Sequence, residues 1–575
     1  MRSLLLLLGL LLALSATAQS PYPVPFDTAP DATPTYAAGI DWWTAFAQAH
    51  PEVHLTTHGR TDAGEPLHLA VLSTNGTFTP AAIARSGKTV LLINNAIHAG
   101  EPAGVDATML LYRDLLANAQ QRTLLDDLVI LAVPMYNVGG VLNRNSTTRA
   151  NQNGPAAYGF RGNAKNLDLN RDFIKADSRN TRAITEIIVA YQPDVFIDNH
   201  TSNGADYQYT LTMIETQPDK LAAPLGDYLR DVMNPALYRA MAETPYEMIP
   251  YVYAPSTPDK GIVGFLDSPR YSTGLTALHH IIGFVPEAHM LKPYADRVRS
   301  ERDFMRVMVD YLAKNGATVQ QLRRRAIAQS AAADSIDLAW ALDRSTYDTL
   351  LFKGYTAARK PSAVSEQDRL YYDRTRPFEH YIQRYGRYRA TRRVATPRAY
   401  VVPQAYTAVL DRLSWNGVQL DTLIADTTLA VTHYYIDDFD TRRSPYEGHY
   451  LHSNVQTRRQ TSTHTFRAGD VWVRTDQPAA AYLTHVLEPT AVDSYFCWNF
   501  FDAILQQKEH FSAYVFEDRA AELLRTDPDL RARFESAKAA DPRLAADGNA
   551  QLRWIYRHSP HYETTHRRYP VARVE

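Results

Sequence analysis

The sequence predicts an α/β fold: a mixed, mostly parallel sheet with flanking helices, then a β-rich, sandwich-like domain and a helical C-terminal segment. Three observations predict it. Up to about residue 315, apolar strand-like runs alternate with amphipathic helical stretches, the pattern of βα units. From about 345 to 495, short Tyr/Thr/Val-rich runs are broken by turn residues. From 500 to 556 the helical pattern returns.

Residues 1–18 read as a cleavable leader. Arg2 gives the positive start, Leu4 to Leu14 form an apolar core too short to span a bilayer comfortably, and Ala16-Thr17-Ala18 is a small-x-small cleavage site. The expected location is secreted or periplasmic, with no membrane span. Lys88 to Ile97 reads as a buried strand. Pro102 opens a helix to about Leu116, since a first-turn proline forfeits no needed N–H. Leu128 to Val133 is a second apolar run. Thr181 to Tyr191 is helical, Pro193 stops it, and Asp194 to Asp198 is strand-like. Leu221 to Met241 and Thr273 to Ile282 look helical, with Phe284 to Glu287 a short strand. Tyr294 to Lys314 is a helix that Asn315-Gly316 should end. Residues 19–330 are therefore expected to form one α/β domain.

Residues 331–575 change character and are expected to be a β-rich accessory domain with a helical C-terminal part. Ala399 to Val402, Tyr406 to Leu410 and Asp470 to Thr475 read as strands, and Asn416-Gly417 as a hairpin turn. Ala520 to Leu524 and Leu530 to Ala540 read as helices.

Composition narrows the function. The 575 residues carry 60 basic and 62 acidic side chains, so a dedicated nucleic-acid binder is not expected. A lone cysteine, Cys497, excludes an internal disulfide and a cysteine-based zinc knuckle. Ser86-Gly87-Lys88-Thr89 resembles a phosphate loop, but Ala82 stands where the pattern needs glycine, and the strand follows instead of preceding it. No G-x-S-x-G elbow occurs. The pairs His449/His452 and His558/His561 are expected to be surface or packing residues.

H-x-x-E occurs at His98–Glu101 and at His485–Glu488. Tyr482 to Glu488 reads as continuous strand, where positions three apart face opposite ways and cannot easily grip one ion. His98 instead follows a strand end, with Ala99 and Gly100 allowing a tight turn before Pro102. Catalytic zinc needs three protein ligands and an open position, and His200, at the end of Asp194–Asn199, is the natural third. Glu287, on a strand, could act as a general base beside a metal-bound water. The planar forks of Arg149 and Arg171 could each hold a carboxylate.

In this order H-A-G-E at 98–101, R-A-N at 149–151, L-D-L-N-R-D-F at 167–173, D-N-H-T at 198–201 and Glu287 resemble the zinc carboxypeptidase family of the carboxypeptidase A type, over about residues 35–315. The resemblance implies one zinc ion held by His98, Glu101 and His200, the known two-histidine, one-glutamate set of carboxypeptidase A. It implies Glu287 as general base and Arg149 as oxyanion donor. Asn170 and Arg171 would clamp a terminal carboxylate, and Tyr271 would close over the substrate. Some features depart from the family. Thr201 replaces a common serine, and Tyr271 lies unusually near Glu287. The segment from Arg149 to Asn170 is long, which leaves Arg144 and Arg161 as rivals to Arg149.

Segments 445–449, 498–502 and 514–518 look like those of large exported bacterial members. The implied partner is a peptide or peptide-like substrate with a free C-terminal carboxylate. A deacylase of N-acyl amino acids on the same fold, and an inactive peptide- or glycan-binding relative, are the alternatives.

Overall fold

The computed structural model describes residues 22–575; the leader expected at 1–18 lies outside them. Nine strands form the main sheet: β1 (Val53–Arg60), β2 (Pro66–Leu72), β3 (Thr89–Asn94), β4 (Leu128–Val133), β5 (Val195–Asp198), β6 (His200–Ser202), β7 (Leu211–Glu215), β8 (Met248–Pro250) and, after β9 (Ile262–Val263) in another sheet, β10 (Ile282–His289). The order is β1-β2-β4-β3-β5-β10-β7-β8, with β6 also beside β10. The central strands β4, β3, β5 and β10 run parallel, while β1, β2 and β7 pair antiparallel to their inner neighbours.

Parallel central strands need continuous apolar runs, because both faces are covered. In β3, Leu91 and Ile93 enter one core and Val90 and Leu92 the other. β4 alternates likewise, with Ile130 on the first side and Leu131 on the second. The first face is covered by α1 (Ala103–Leu116) and the long C-terminal helix of this half. The second is covered by α2 (Arg179–Tyr191), through Ile184, Ile187 and Ile188.

Several expectations are corrected. The helix from Tyr294 runs on to Ala331 through Asn315 and Gly316. Gly316 ends nothing: it lets the helix press onto Thr89, where a Cβ would collide. The stretch read as helical from Leu221 is helical from Ala223 to Ala242, with a π turn at Leu229–Met233 in its middle. Pro235, which lacks an N–H, stands two residues after that turn's last residue. Tyr406 to Leu410 is not a strand, because Thr407–Trp415 is helical and buries Val409 and Leu413 at helical spacing. Asn416-Gly417 closes that helix instead of a hairpin. Gly417 has φ +73°, and both kinds of turn use that left-handed conformation. Tyr482–Leu487 is helical as well; every residue of Ala480–Leu487 except Ala481 is buried, so no helical period survives in the sequence.

The β-rich half contains three sheets. β11 (Ser335–Leu342) pairs with β14 (Tyr388–Ala395). β12 (Asp348–Pro361) and β13 (Asp368–Tyr385) form a long hairpin that joins β9. The third sheet holds β15 (Ala399–Val402), β16 (Asp421–Thr422), β17 (Thr427–Thr441), β18 (His452–Phe466), β19 (Val471–Arg474) and β20 (Ala572–Val574), in the order β16-β19-β15-β20-β17-β18. One face, with Tyr400 and Val402, merges with the core under α2; the other keeps a small core of Ala399, Val401 and Phe466. Helices Ala513–Thr526, Pro528–Ala540 and Gly548–Arg557 pack on one another through Phe516, Phe534 and Ile555. Among the described residues no helix is long and apolar enough to cross a membrane.

Burial lowers five histidines, His279, His280, His289, His433 and His485, to about 4. His289 shows why. Its Nε2–H donates to the Ala205 carbonyl at 2.8 Å, and its Nδ1 accepts from the Leu291 N–H at 3.2 Å, so a second proton would break a bond. The unfolded histidine titrates near 6.5, so between about 6.5 and 4 the unfolded chain binds protons that the folded chain refuses. Stability is full above that window and falls as pH drops through it, by about 1.4 kcal/mol per unit for each group at most. The share of the melting-temperature change between pH 7 and pH 5 that comes from His289 should therefore be a fall, and it should disappear in His289→Gln; an identical pH slope in that variant would contradict this account.

Candidate metal centre

The site lies at the carboxyl ends of the parallel strands, where open α/β sheets present their ligand crevice. His98 follows β3. The backbone turns back at once, with Glu101 N–H donating to the His98 carbonyl at 2.8 Å, and α1 begins beyond Pro102. Gly100 is needed there, because a Cβ would meet Arg149 and the Gly159 backbone. His200 begins β6. The register sets Glu287 of β10 directly beside it.

His98, Glu101 and His200 are each 3% exposed. One ligand atom from each lies within 4.8 Å of the others, and among the described residues this is the cluster able to hold a metal ion. The Nδ1 atoms of His98 and His200 face the two Glu101 oxygens at 3.1 and 3.0 Å. Each Nε2 meets its own carboxylate: His98 meets Asp168 at 3.0 Å and His200 meets Asp198 at 3.2 Å. A carboxylate on the far nitrogen fixes the ring and leaves the near nitrogen's lone pair for a metal. The buried acids Glu101 and Asp198 and the partly buried Asp168 concentrate negative charge that a dication would offset. Against the cost of burial, Asp198 and Glu101 hold the His200 imidazole well above its ordinary value. The donor set and its charge fit zinc.

A cavity of about 520 Å3 opens over the triad, lined among others by Arg149, Arg161, Asn170, Arg171, Tyr271 and Glu287. Burial pushes the Glu287 carboxyl up to about 8, with Glu101 adding to the rise and His200 opposing it. A bound cation would pull it back down. Arg149 Nη1 contacts Glu101 at 2.9 Å, while its Nη2 is buried without a partner. Arg161, its rival, pairs with Asp168 at 2.8 Å. Arg144 turns away to the Thr33 and Pro34 carbonyls. Asn170 is aimed by its Oδ1, which accepts from the Ser272 N–H at 3.0 Å. The Arg171 guanidinium sits 4.5 Å above the Tyr271 ring, which itself packs on Phe265.

The other sequence candidates lie elsewhere. Although Tyr482–Leu487 is helical, His485 stacks on Trp340 and Glu488 pairs with Arg573 and Tyr400. His449 bonds Asp177 and His452 bonds Asp502. Lys88 is spent on Thr74 and the Leu125 carbonyl. Sequence reasoning did not assign roles to Asp168 and Asp198, although both stand inside the motifs L-D-L-N-R-D-F and D-N-H-T.

A buried cage of two histidines and one glutamate, open to a cavity holding a further carboxylate, defines a zinc-hydrolase type of site. Residues 40–220 match the model of the family described as zinc carboxypeptidase, which supports that family for this part of the chain. Carboxypeptidase 2 of Trichophyton rubrum is 23% identical over 447 residues, covering 71% of this chain and 73% of its own. Carboxypeptidase 2 of Trichophyton equinum is 24% identical over 439 residues, with the same coverage of 71% and 73%. A metallo-carboxypeptidase structure from Burkholderia cenocepacia superposes with a TM-score of 0.36 at 17% identity, covering 47% of this chain and 68% of the other.

Proposed function

We propose that this protein is an exported zinc metallocarboxypeptidase that removes residues from the C-terminal end of peptides or peptide-like chains. The observation that carries the reading is the histidine pair. Each turns Nδ1 to Glu101 and has its own carboxylate beside the far nitrogen, hydrogen-bonded in His98 and in ionic contact in His200, under a cavity that also contains Glu287 and Arg171.

His98, Glu101 and His200 would hold the ion, which when bound supplies positive charge that acidifies water and polarises a carbonyl. The chain's own groups do the rest. A Glu287 carboxylate oxygen takes the proton of the attacking water and delivers it to the leaving amine nitrogen. Arg149 offers an N–H to the carbonyl oxygen as negative charge builds there. Asn170 and Arg171 hold the terminal carboxylate, and the Arg171 fork suits a two-point grip. Tyr271, under Arg171, closes that side over the substrate. Residues 19–330 form the catalytic domain and 331–575 the accessory one. Export is supported by the leader-like residues 1–18, and affiliation with the large exported bacterial members by the segments around Glu447, Trp498 and Tyr514.

The carboxylate clamp is the exopeptidase feature, and it is testable with one peptide made as free acid and as C-terminal amide. The acid should be cleaved and the amide left intact. Arg171→Ala should lower kcat/KM on the acid by about 10²-fold, the size of a lost charge-assisted pair, and remove most of the acid-over-amide preference. Equal cleavage of both forms by the unaltered protein would overturn the clamp.

A further inference from the structure

The segment P-Y-E-G-H at 445–449 belongs to the β-rich half, yet its tip reaches the metal centre. Tyr446 and His449 exchange backbone hydrogen bonds at 2.7 and 3.1 Å, so Glu447-Gly448 is a two-residue hairpin turn. Their φ values of +50° and +83° are those of a type I′ turn, which needs positive φ at both central residues. Gly448 tolerates that. A glutamate does not favour it, and Asn, Asp or Gly is the usual occupant. A residue held in a disfavoured conformation points to a role for its side chain.

That side chain has a definite target. Glu447 Oε2 accepts the backbone N–H of Asp168 at 2.8 Å, across 279 residues of sequence. Asp168 in turn spends its carboxylate on His98 Nε2 at 3.0 Å, on the Asn170 N–H at 2.9 Å and on Arg161. The hairpin is itself pinned. His449 Nε2 meets Asp177 at 2.7 Å, and the Tyr446 ring lies against Trp498 and under Arg270. Arg270 is locked by Asp493 at 2.6 Å and accepts the Phe173 N–H through its own carbonyl. The second half thus grips both strips of backbone that carry the site, around Asp168–Arg171 and around Arg270–Ser272.

We propose that Glu447 is a positioning residue for the metal centre: it fixes the Asp168 backbone so that the Asp168 carboxylate holds the His98 ring. The β-rich half thereby completes the site. The inference rests on the zinc reading above, so its test is read on the metal and not on peptide turnover alone. Glu447→Gly keeps the turn and relieves its backbone strain but removes the acceptor. Glu447→Gln keeps an acceptor oxygen. Zinc release to a competing chelator and the visible spectrum of the cobalt(II)-substituted full-length protein are measured for both, beside the melting temperature.

Glu447→Gly should bind zinc about tenfold more weakly, the lower end of what outer partners of metal ligands contribute. It should show a shifted cobalt spectrum and melt at the same temperature or higher. Glu447→Gln should stay within about twofold of the unaltered protein. The proposal is overturned if Glu447→Gly keeps zinc and spectrum unchanged, or if zinc weakens only in step with a lower melting temperature. Failure of the unaltered protein to bind zinc would overturn the zinc reading itself, and the proposal with it.

Discussion

Glu287→Gln will lower kcat by about 10³-fold, in the middle of the range for a general acid–base group, while the protein retains one zinc ion. The substitution is nearly isosteric and removes only the ability to accept and return a proton. The geometry leaves that carboxylate free for the task. It lies on β10 beside His200, 9% exposed, and among the described residues no protein donor hydrogen-bonds it. Because the glutamine still fits the cavity, KM should stay within a few-fold, the signature of an interaction made in the transition state. Turnover within tenfold of the unaltered enzyme would remove Glu287 from the mechanism.

His200→Ala should remove both zinc and activity. It deletes one of three ligands, so the loss of metal affinity should exceed the roughly 10–100-fold typical of an outer partner such as Asp198. It should also cost stability. Asp198 and Glu101 would be left buried with one polar partner fewer, a loss of about 1–3 kcal/mol for a buried acceptor left unsatisfied. Zinc measured after dialysis and a thermal melt check both parts. A variant that still carries stoichiometric zinc would contradict the ligand assignment.

The parts of this fold legible in the sequence are those ruled by local physics. β4 and β15 are read at the boundaries observed, because a short apolar run preceded by a charged residue and stopped by proline leaves little choice. The motif residues are also legible, since strand ends and a Gly-containing turn place His98, Glu101 and His200 where three ligands can meet. What escapes is set by tertiary contact. Gly316 reads as a stop but is a packing contact with Thr89. Tyr482–Leu487 reads as a strand because burial on nearly all sides erases the helical period. Asn416-Gly417 signals positive φ, which a hairpin and a helix end share. Asp168 and Asp198 hold the histidines through contacts visible only after folding. Glu447 lies 279 residues from its partner, and nothing in the intervening sequence indicates the pairing.

The most direct test of the central claim is mass spectrometry of a mixed peptide pool incubated with the zinc-loaded protein, beside a chelated control. The account predicts loss of single residues from C-terminal ends in the zinc sample only. Intact peptides in both samples, with N-acyl amino acids hydrolysed instead, would contradict it and assign the same centre to a deacylase.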